Sequence, residues 1–309
     1  MTLHVIEPER RTLHGHFSRD LEPILTIDSG DTVRFRTLDA GWRTGFDFEQ
    51  HEAAQFEPRD KALDEGHCMC GPVAIRGAEP GMTLAVHIED IRVGSYGLTF
   101  VGGWPHEVNE RFDLLNKRML IEWTLDADAL TGRNQWGQTV ALRPFMGVMG
   151  MPPDEPGMHP TAPPYTTGGN IDCKELVAGS TLYLPVAVPG GLFSTGDGHG
   201  VQGNGEVCVT AIECPMERVD LRFELLPDMR LTTPRAHTAE GWLTLGFHED
   251  LNEATMIALE AMVALMGEQY GMDAQQALGM ASLLVDLRIT QIANGVKGVH
   301  AVLPHGAIR

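Results

Sequence analysis

The sequence contains no uncharged apolar stretch long enough to cross a bilayer, and its opening residues, MTLHVIEPERRTLHG, hold no apolar run of signal-peptide length. These absences predict a soluble, cytoplasmic protein with no membrane partner. Cysteine is scarce and odd in number: Cys68, Cys70, Cys173, Cys208 and Cys214 are the five. That count argues against a disulfide framework and fits a reducing compartment. Cys68 and Cys70 stand one residue apart, closer than a zinc knuckle or redox pair requires, and are read as small apolar packing residues. Basic residues are in deficit, 23 Lys and Arg against 42 Asp and Glu, a formal charge of -19. Such a surface repels phosphate backbones, so no nucleic-acid partner is expected, and a neutral or cationic small molecule, or a divalent cation, is favoured. The chain also lacks a G-x-S-x-G nucleophile elbow, a G-x-x-x-x-G-K phosphate loop and a dinucleotide fingerprint.

Glycine (35) and proline (19) are plentiful among the 309 residues and punctuate short apolar runs, the pattern of many strands joined by turns. In PILTIDSGDTVRF, two β-type runs flank the turn Asp28–Asp31. Strands are also predicted at Val73–Gly77, Met82–Ile91, Ile121–Leu125, Thr139–Leu142, Ser180–Val188, Gly205–Glu213, Val219–Leu226 and Gly241–Phe247. Phe145–Gly169, with prolines at 152, 153, 156, 160, 163 and 164, is predicted to be irregular and to serve as a lid or binding loop. The last third changes period. Met256, Leu259, Met262, Val263 and Met266 follow helical spacing in Asn252–Gln269, and a second helix over Asp273–Val285 takes Asp273 as its cap. Asp286–Ala293 reads as the closing strand. The whole is a β-rich protein with a C-terminal helical pair, fused tightly because no disordered linker separates them.

Three constellations can carry chemistry. In Gly196–Glu213 (GDGHGVQGNGEVCVTAIE), Asp197 and His199 are two apart and share one face of an extended segment, a donor pair suited to a divalent metal. The glycines, Gly198 among them, permit close approach of a ligand, and Glu206 can act as a further ligand or general base. An ordinary Gly-rich turn with an idle histidine would look the same. His14 and His16 also share a face and could complete a ligand set; as a surface arm they would be merely polar. In GGNIDCKE, Gly168 and Gly169 close the proline-rich stretch. Asn170 and Asp172 alternate toward one side, where Asn170 could hold a carbonyl or oxyanion and Asp172 could be a ligand. Cys173 and Lys174 point the other way. An Asx turn is the plainer reading of the same residues.

The runs GPVAIRGAEPGMTLAVHIEDI, GGNIDCKEL, LYLPVAVPGGLFSTGDGHGVQGNGEVCVTAIE and LLVDLRITQIANGVKGVHAVLP resemble the acetamidase/formamidase family over nearly the whole chain. The resemblance implies hydrolysis of a small aliphatic amide, a homo-oligomer, and a fold of the α+β class, mainly β. That fold has a β-sandwich-like body and a smaller α/β part; the chain divides accordingly into a β-rich body over residues 1–213, which carries the active-site segments, and an α/β part with two helices over 214–309, packed against the body or intertwined with it. It places Asn170, Asp172, Asp197, His199 and Glu206 at family motif positions, and His14 at a histidine ahead of the first long strand. Gly94–Arg111 and Asn116–Arg143 depart from the common bacterial pattern, which bears on substrate choice.

The mechanism expected from these residues has zinc, or otherwise Ca²⁺ or another divalent ion, held by His14 or His16 with Asp197 and His199. The ion acidifies a water, Glu206 moves the proton, and Asn170 with Gly168, Gly169 and Gly198 holds the substrate. A carboxylate pair, Asp172 and Glu206, acting without metal is a variant of this. The rival class is a non-catalytic β-sandwich module that binds a small ligand or Ca²⁺.

Overall fold

The computed structural model describes the whole chain, Met1–Arg309. Strands dominate and helices are few, so the fold is α+β and mainly β. A nine-stranded sheet runs in the spatial order Leu3–Ile6, Thr32–Thr37, Met216–Leu226, Thr83–Val93, Thr181–Pro185, Arg235–His237, Gly241–His248, Lys297–Pro304, Asp286–Gln291. Its first pair is parallel and the rest are antiparallel. A seven-stranded sheet follows the order Pro164–Tyr165, Gly168–Asn170, Phe145–Gly150, Phe193–His199, Met69–Ile75, Leu13–His14, with Leu25–Ile27 pairing in parallel to Met69–Ile75. Smaller sheets of four and two strands complete the β structure.

The two large sheets face each other across one apolar core. Phe193 of the seven-stranded sheet meets Phe223 of the nine-stranded sheet edge to face, centroids 5.0 Å apart, within a cluster that draws buried residues from both. The nine-stranded sheet uses both halves of the chain: Met216–Leu226 lies between Thr32–Thr37 and Thr83–Val93. Helix Leu251–Tyr270 covers Gly241–His248 and Lys297–Pro304 and, with helix Ala274–Leu284, forms a second apolar cluster around Met262, Leu265 and Met266. Asp250 caps the first of these helices by accepting from Asn252 N, Gly271 ends it in the left-handed region at φ 67°, and Asp273 caps the second.

The structure corrects two of the predicted elements. Phe145–Gly150 is a fully buried strand at the centre of the seven-stranded sheet, because the prolines begin only at Pro152 and leave six residues free to pair with Phe193–His199. Gly205–Glu213 is not a strand. Glu206 and Val209 take φ values of 44° and 75°, Val207 is exposed, and the backbone closes a turn from Val209 N to Glu206 O at 2.9 Å. The last strand, Lys297–Pro304, goes beyond the predicted set.

Candidate active site

Strand Phe193–His199 carries the centre of the site. It is buried along its length between Phe145–Gly150 and Met69–Ile75. Asp197 leaves the extended conformation, with φ 57°, opposite Gly147. A Cβ placed on Gly147 would stand 2.6 Å from Asp197 Oδ2 and 2.7 Å from Asp172 Oδ1, so only glycine leaves room for the two carboxylates to converge. The Gly147 carbonyl accepts from the amides of Ile171 and Asp172 at 3.0 and 3.2 Å, which fixes Asp172 over the strand. Asp172, Asp197 and Glu206 all have positive φ (52°, 57° and 44°), a cost that a structure retains where side-chain placement matters.

Five titratable side chains meet here, all buried: Asp172, Asp197, His199, Glu206 and Glu213. The geometry around His199 decides what the cluster can do. Nδ1 lies 2.9 Å from Gln202 Oε1, and Gln202 Nε2 donates to the Asp172 carbonyl at 2.8 Å. The glutamine is therefore oriented by its own donor, and His199 Nδ1 must carry a proton. Nε2 then faces Asp197 Oδ1 and Glu213 Oε2, each at 3.3 Å. A lone pair aimed at two carboxylates is repulsive, so this position calls for a cation: a second proton on the ring or a metal ion. Asp172 Oδ1 and Asp197 Oδ1 are buried without a hydrogen bond, as acceptors awaiting a cation would be. Two overlapping sets of donor atoms, Asp172–His199–Glu206 and Asp197–His199–Glu213, each fall within 4.8 Å of one another.

The protonation balance reflects crowding. Burial, and after it the Asp172 carboxylate, pushes Glu206 well above the usual carboxylate range. Burial lifts Asp172 and Glu213 to about 7 each, against the pull of His199. Burial also opposes ionisation of Asp197, but His199 outweighs it and Asp197 is held low. For His199 burial disfavours the charge, yet Glu213 and Asp197 prevail and raise it well above the ordinary imidazole value.

The cluster opens on a cavity of about 770 Å³ whose lining includes Asn170, Asp197, Glu206, Glu213 and Asn294. Asn170 Nδ2 donates to the Ala162 carbonyl at 3.1 Å, while its Oδ1 is buried without a partner. The free atom is thus an acceptor, which suits an amide N–H better than the oxyanion expected from sequence. The proline-rich segment forms part of the wall through Met158, His159 and Thr161. It is tied down where His159 N and Phe17 O pair at 2.8 Å and where the His67 amide donates to Thr161 Oγ1, also at 2.8 Å. Phe100, from the segment that departs from the family pattern, lines the same wall.

Other expected residues stand elsewhere. His14 does not join the cluster: its Nδ1 bonds the His16 carbonyl at 2.8 Å and its Nε2 meets Ser194 Oγ at 3.0 Å, and burial lowers its pKa to about 4. His16 lines the cavity with Nδ1 bonded to the Leu63 carbonyl at 3.0 Å, outside both donor sets. Gly168, Gly169 and Gly198 are buried and line no part of the cavity. Gly168 allows close strand packing, since a Cβ there would lie 2.4 Å from Met149 O. Sequence reasoning gave no role to Glu213, Gln202, Asn294 or Gly147. Glu213 arrives through a bridge to His199 and is set by the Ala211 amide, which donates to Oε1 at 2.7 Å; Asn294 Nδ2 donates to Asp172 Oδ2 at 2.6 Å from the C-terminal hairpin. No spacing rule anticipates either.

Known proteins share this arrangement of sheets and motifs. The profile of the acetamidase/formamidase family matches residues 3–158 and 156–305, and the chain belongs to that family. It is 28% identical over 254 residues to a Schizosaccharomyces pombe protein provisionally named a formamidase, covering 64% of this chain and 60% of the relative. It is 26% identical over 266 residues to the formamidase of Methylophilus methylotrophus, covering 70% of this chain and 64% of the relative. The match thus spans under two thirds of the length of these relatives. The crystal structure of an acetamidase from Bacillus halodurans superposes with a TM-score of 0.83 at 26% identity, covering 97% of each chain.

Proposed function

We propose that this protein hydrolyses a small aliphatic amide, of the formamide or acetamide type, to a carboxylate and ammonium at the His199 cluster. The observation that carries the reading is the orientation of His199: Gln202 fixes its Nδ1 proton, so Nε2 and the carboxylates of Asp197 and Glu213 define a cation position at the end of a cavity. Membership in an amidase family supports the same reaction.

The donor set fits a divalent metal, zinc first, because imidazole nitrogen and carboxylate oxygens are its ordinary ligands and two buried acceptors lack partners. Asp197, His199 and Glu213 would hold it, with Asp172 beside them. Bound there, the ion supplies Lewis acidity, which polarises a carbonyl and makes a water acidic near neutrality. Glu206, whose proton affinity burial raises, takes a proton from the attacking water and returns it to the leaving nitrogen. Asn170 Oδ1 accepts from the substrate NH₂ and orients it. Asn294 and Gln202 hold Asp172 and His199 still, and the proline-rich segment walls one side of the cavity. The cavity has room for acyl groups longer than acetyl. The working form is read as a homo-oligomer, a reading supported by the family resemblance and by exposed Leu283, Leu287 and Ile289 near the C-terminal sheet edge.

Ammonia release from formamide, acetamide and propionamide, before and after dialysis against a chelator, tests the proposal. Turnover of at least one amide, lost on chelation and restored by zinc, is the expected result. Turnover that survives complete metal removal leaves an amidase working by carboxylates alone; metal binding without ammonia release leaves a binding module.

A further inference from the structure

Behind Asp172 the chain turns its next residues away from the cavity, into a second buried group of donors. Cys173 Sγ lies 3.3 Å from Glu175 Oε2, and His300 Nε2 lies 3.5 Å from the same oxygen. All three side chains are essentially inaccessible, at 0%, 1% and 0% exposure. His300 Nδ1 is engaged by Thr290 Oγ1 at 2.8 Å, which aims Nε2 at the other two. Their ligand atoms all lie within 4.8 Å of one another.

A plain reading makes this a hydrogen-bonded trio, with the thiol donating to Glu175 and an imidazolium paired to the carboxylate. Two observations count against its being complete. Glu175 Oε1 and His300 Nε2 are both buried without a hydrogen bond. A charged pair taken fully out of water needs good hydrogen-bond geometry to offset desolvation, and the 3.5 Å approach does not provide it. The separations have another meaning. Around a tetrahedral zinc with ordinary Zn–S, Zn–N and Zn–O bonds, neighbouring ligand atoms stand roughly 3.3–3.5 Å apart. Arg288 approaches Glu175 Oε1 at 3.5 Å but is already paired with Glu240 at 2.8 Å and Asp286 at 3.6 Å, so its charge is largely spoken for.

We infer that Cys173, Glu175 and His300 form a second, structural metal site for a borderline-soft divalent cation of the zinc class. Cys173 binds as thiolate, so its proton is released to solvent on metal uptake. The ion joins two segments that both serve the cavity. Cys173 follows Asp172 directly, and His300 lies on the hairpin Asp286–Pro304 whose turn supplies Asn294 to Asp172 at 2.6 Å. The site thereby holds Asp172 in register from behind. It stands whether or not the cavity cluster is catalytic.

The test uses full-length protein produced in zinc-depleted, cobalt-supplemented medium. None of the five titratable residues of the cavity cluster carries sulfur, so thiolate-to-cobalt charge-transfer absorption in the near ultraviolet reports a cysteine ligand independently of that cluster. The absorption is expected in the wild-type protein and is expected to vanish in Cys173→Ser, with metal content falling by about one equivalent per chain. His300→Gln is expected to lose the same equivalent. Cobalt-grown wild-type protein without the absorption overturns the inference, and needs no variant to fold. Absorption that persists unchanged in Cys173→Ser also overturns it, since another cysteine would then be the ligand.

Discussion

His14 illustrates how a single residue can look like a ligand in sequence and be something else in space. Its position ahead of a strand, two residues from His16, suggested metal binding; the fold instead places it against Ser194, in the seven-stranded sheet. Burial holds it neutral, with its pKa lowered to about 4 from 6.5. The unfolded chain therefore binds the proton more readily, and stability falls as pH drops from about 6.5 toward 4, by up to about 3 kcal/mol. Denaturant titrations of wild type and His14→Gln should show a stability difference that narrows between neutral pH and about pH 5; a constant difference would mean that His14 does not titrate in this window. Gly147 makes the opposite point. Nothing in FMGVMG marks it, because its role exists only where Asp197 and Asp172 approach it from other segments. Gly147→Ala should displace both carboxylates and lower kcat by on the order of a hundredfold, with a loss of stability of about 1–3 kcal/mol from the overpacked strand; steady-state kinetics with a thermal melt would check it. Asp197 and His199 were legible because their motif is local. Glu213 and Asn294 were not, because a turn and a distant hairpin bring them in.

At the scale of elements, the helices were the most readable part of the chain, since period and caps are local signals. Asp273 caps Ala274–Leu284 through the Gln276 amide at 2.8 Å, and Gln276 returns a bond to the Asp273 amide at 3.2 Å. Asp273→Ala should cost about 1 kcal/mol, measured by chemical denaturation, with amide exchange rising in that helix first. The β elements were harder. Phe145–Gly150 was hidden by the prolines that follow it, although its burial and pairing make it a central strand. Gly205–Glu213 had strand composition, but the positive φ of Glu206 and Val209 turns it into the loop that delivers Glu206 and Glu213 to His199. Local composition was overridden there by the site that the segment builds.

For the whole molecule, the β-rich character and the C-terminal helical pair follow from glycine and proline punctuation and the change of period. The sheet order does not, because it depends on pairings across the length of the chain. Met216–Leu226 crosses into the body formed by earlier residues, and the C-terminal hairpin reaches back to Asp172. The site is consequently a composite: Asn170, Asp197, Glu206, Glu213 and Asn294 line the cavity, and Gly147, Asp172 and His199 stand behind them. The role proposed for Glu206 is to move the proton in amide hydrolysis at this cluster. The most direct test is steady-state ammonia release by Glu206→Gln beside wild type, with metal content measured on the same samples. In Glu206→Gln kcat is expected to fall by about 10²–10⁴-fold with metal content and KM little changed. A variant that keeps wild-type turnover would contradict it.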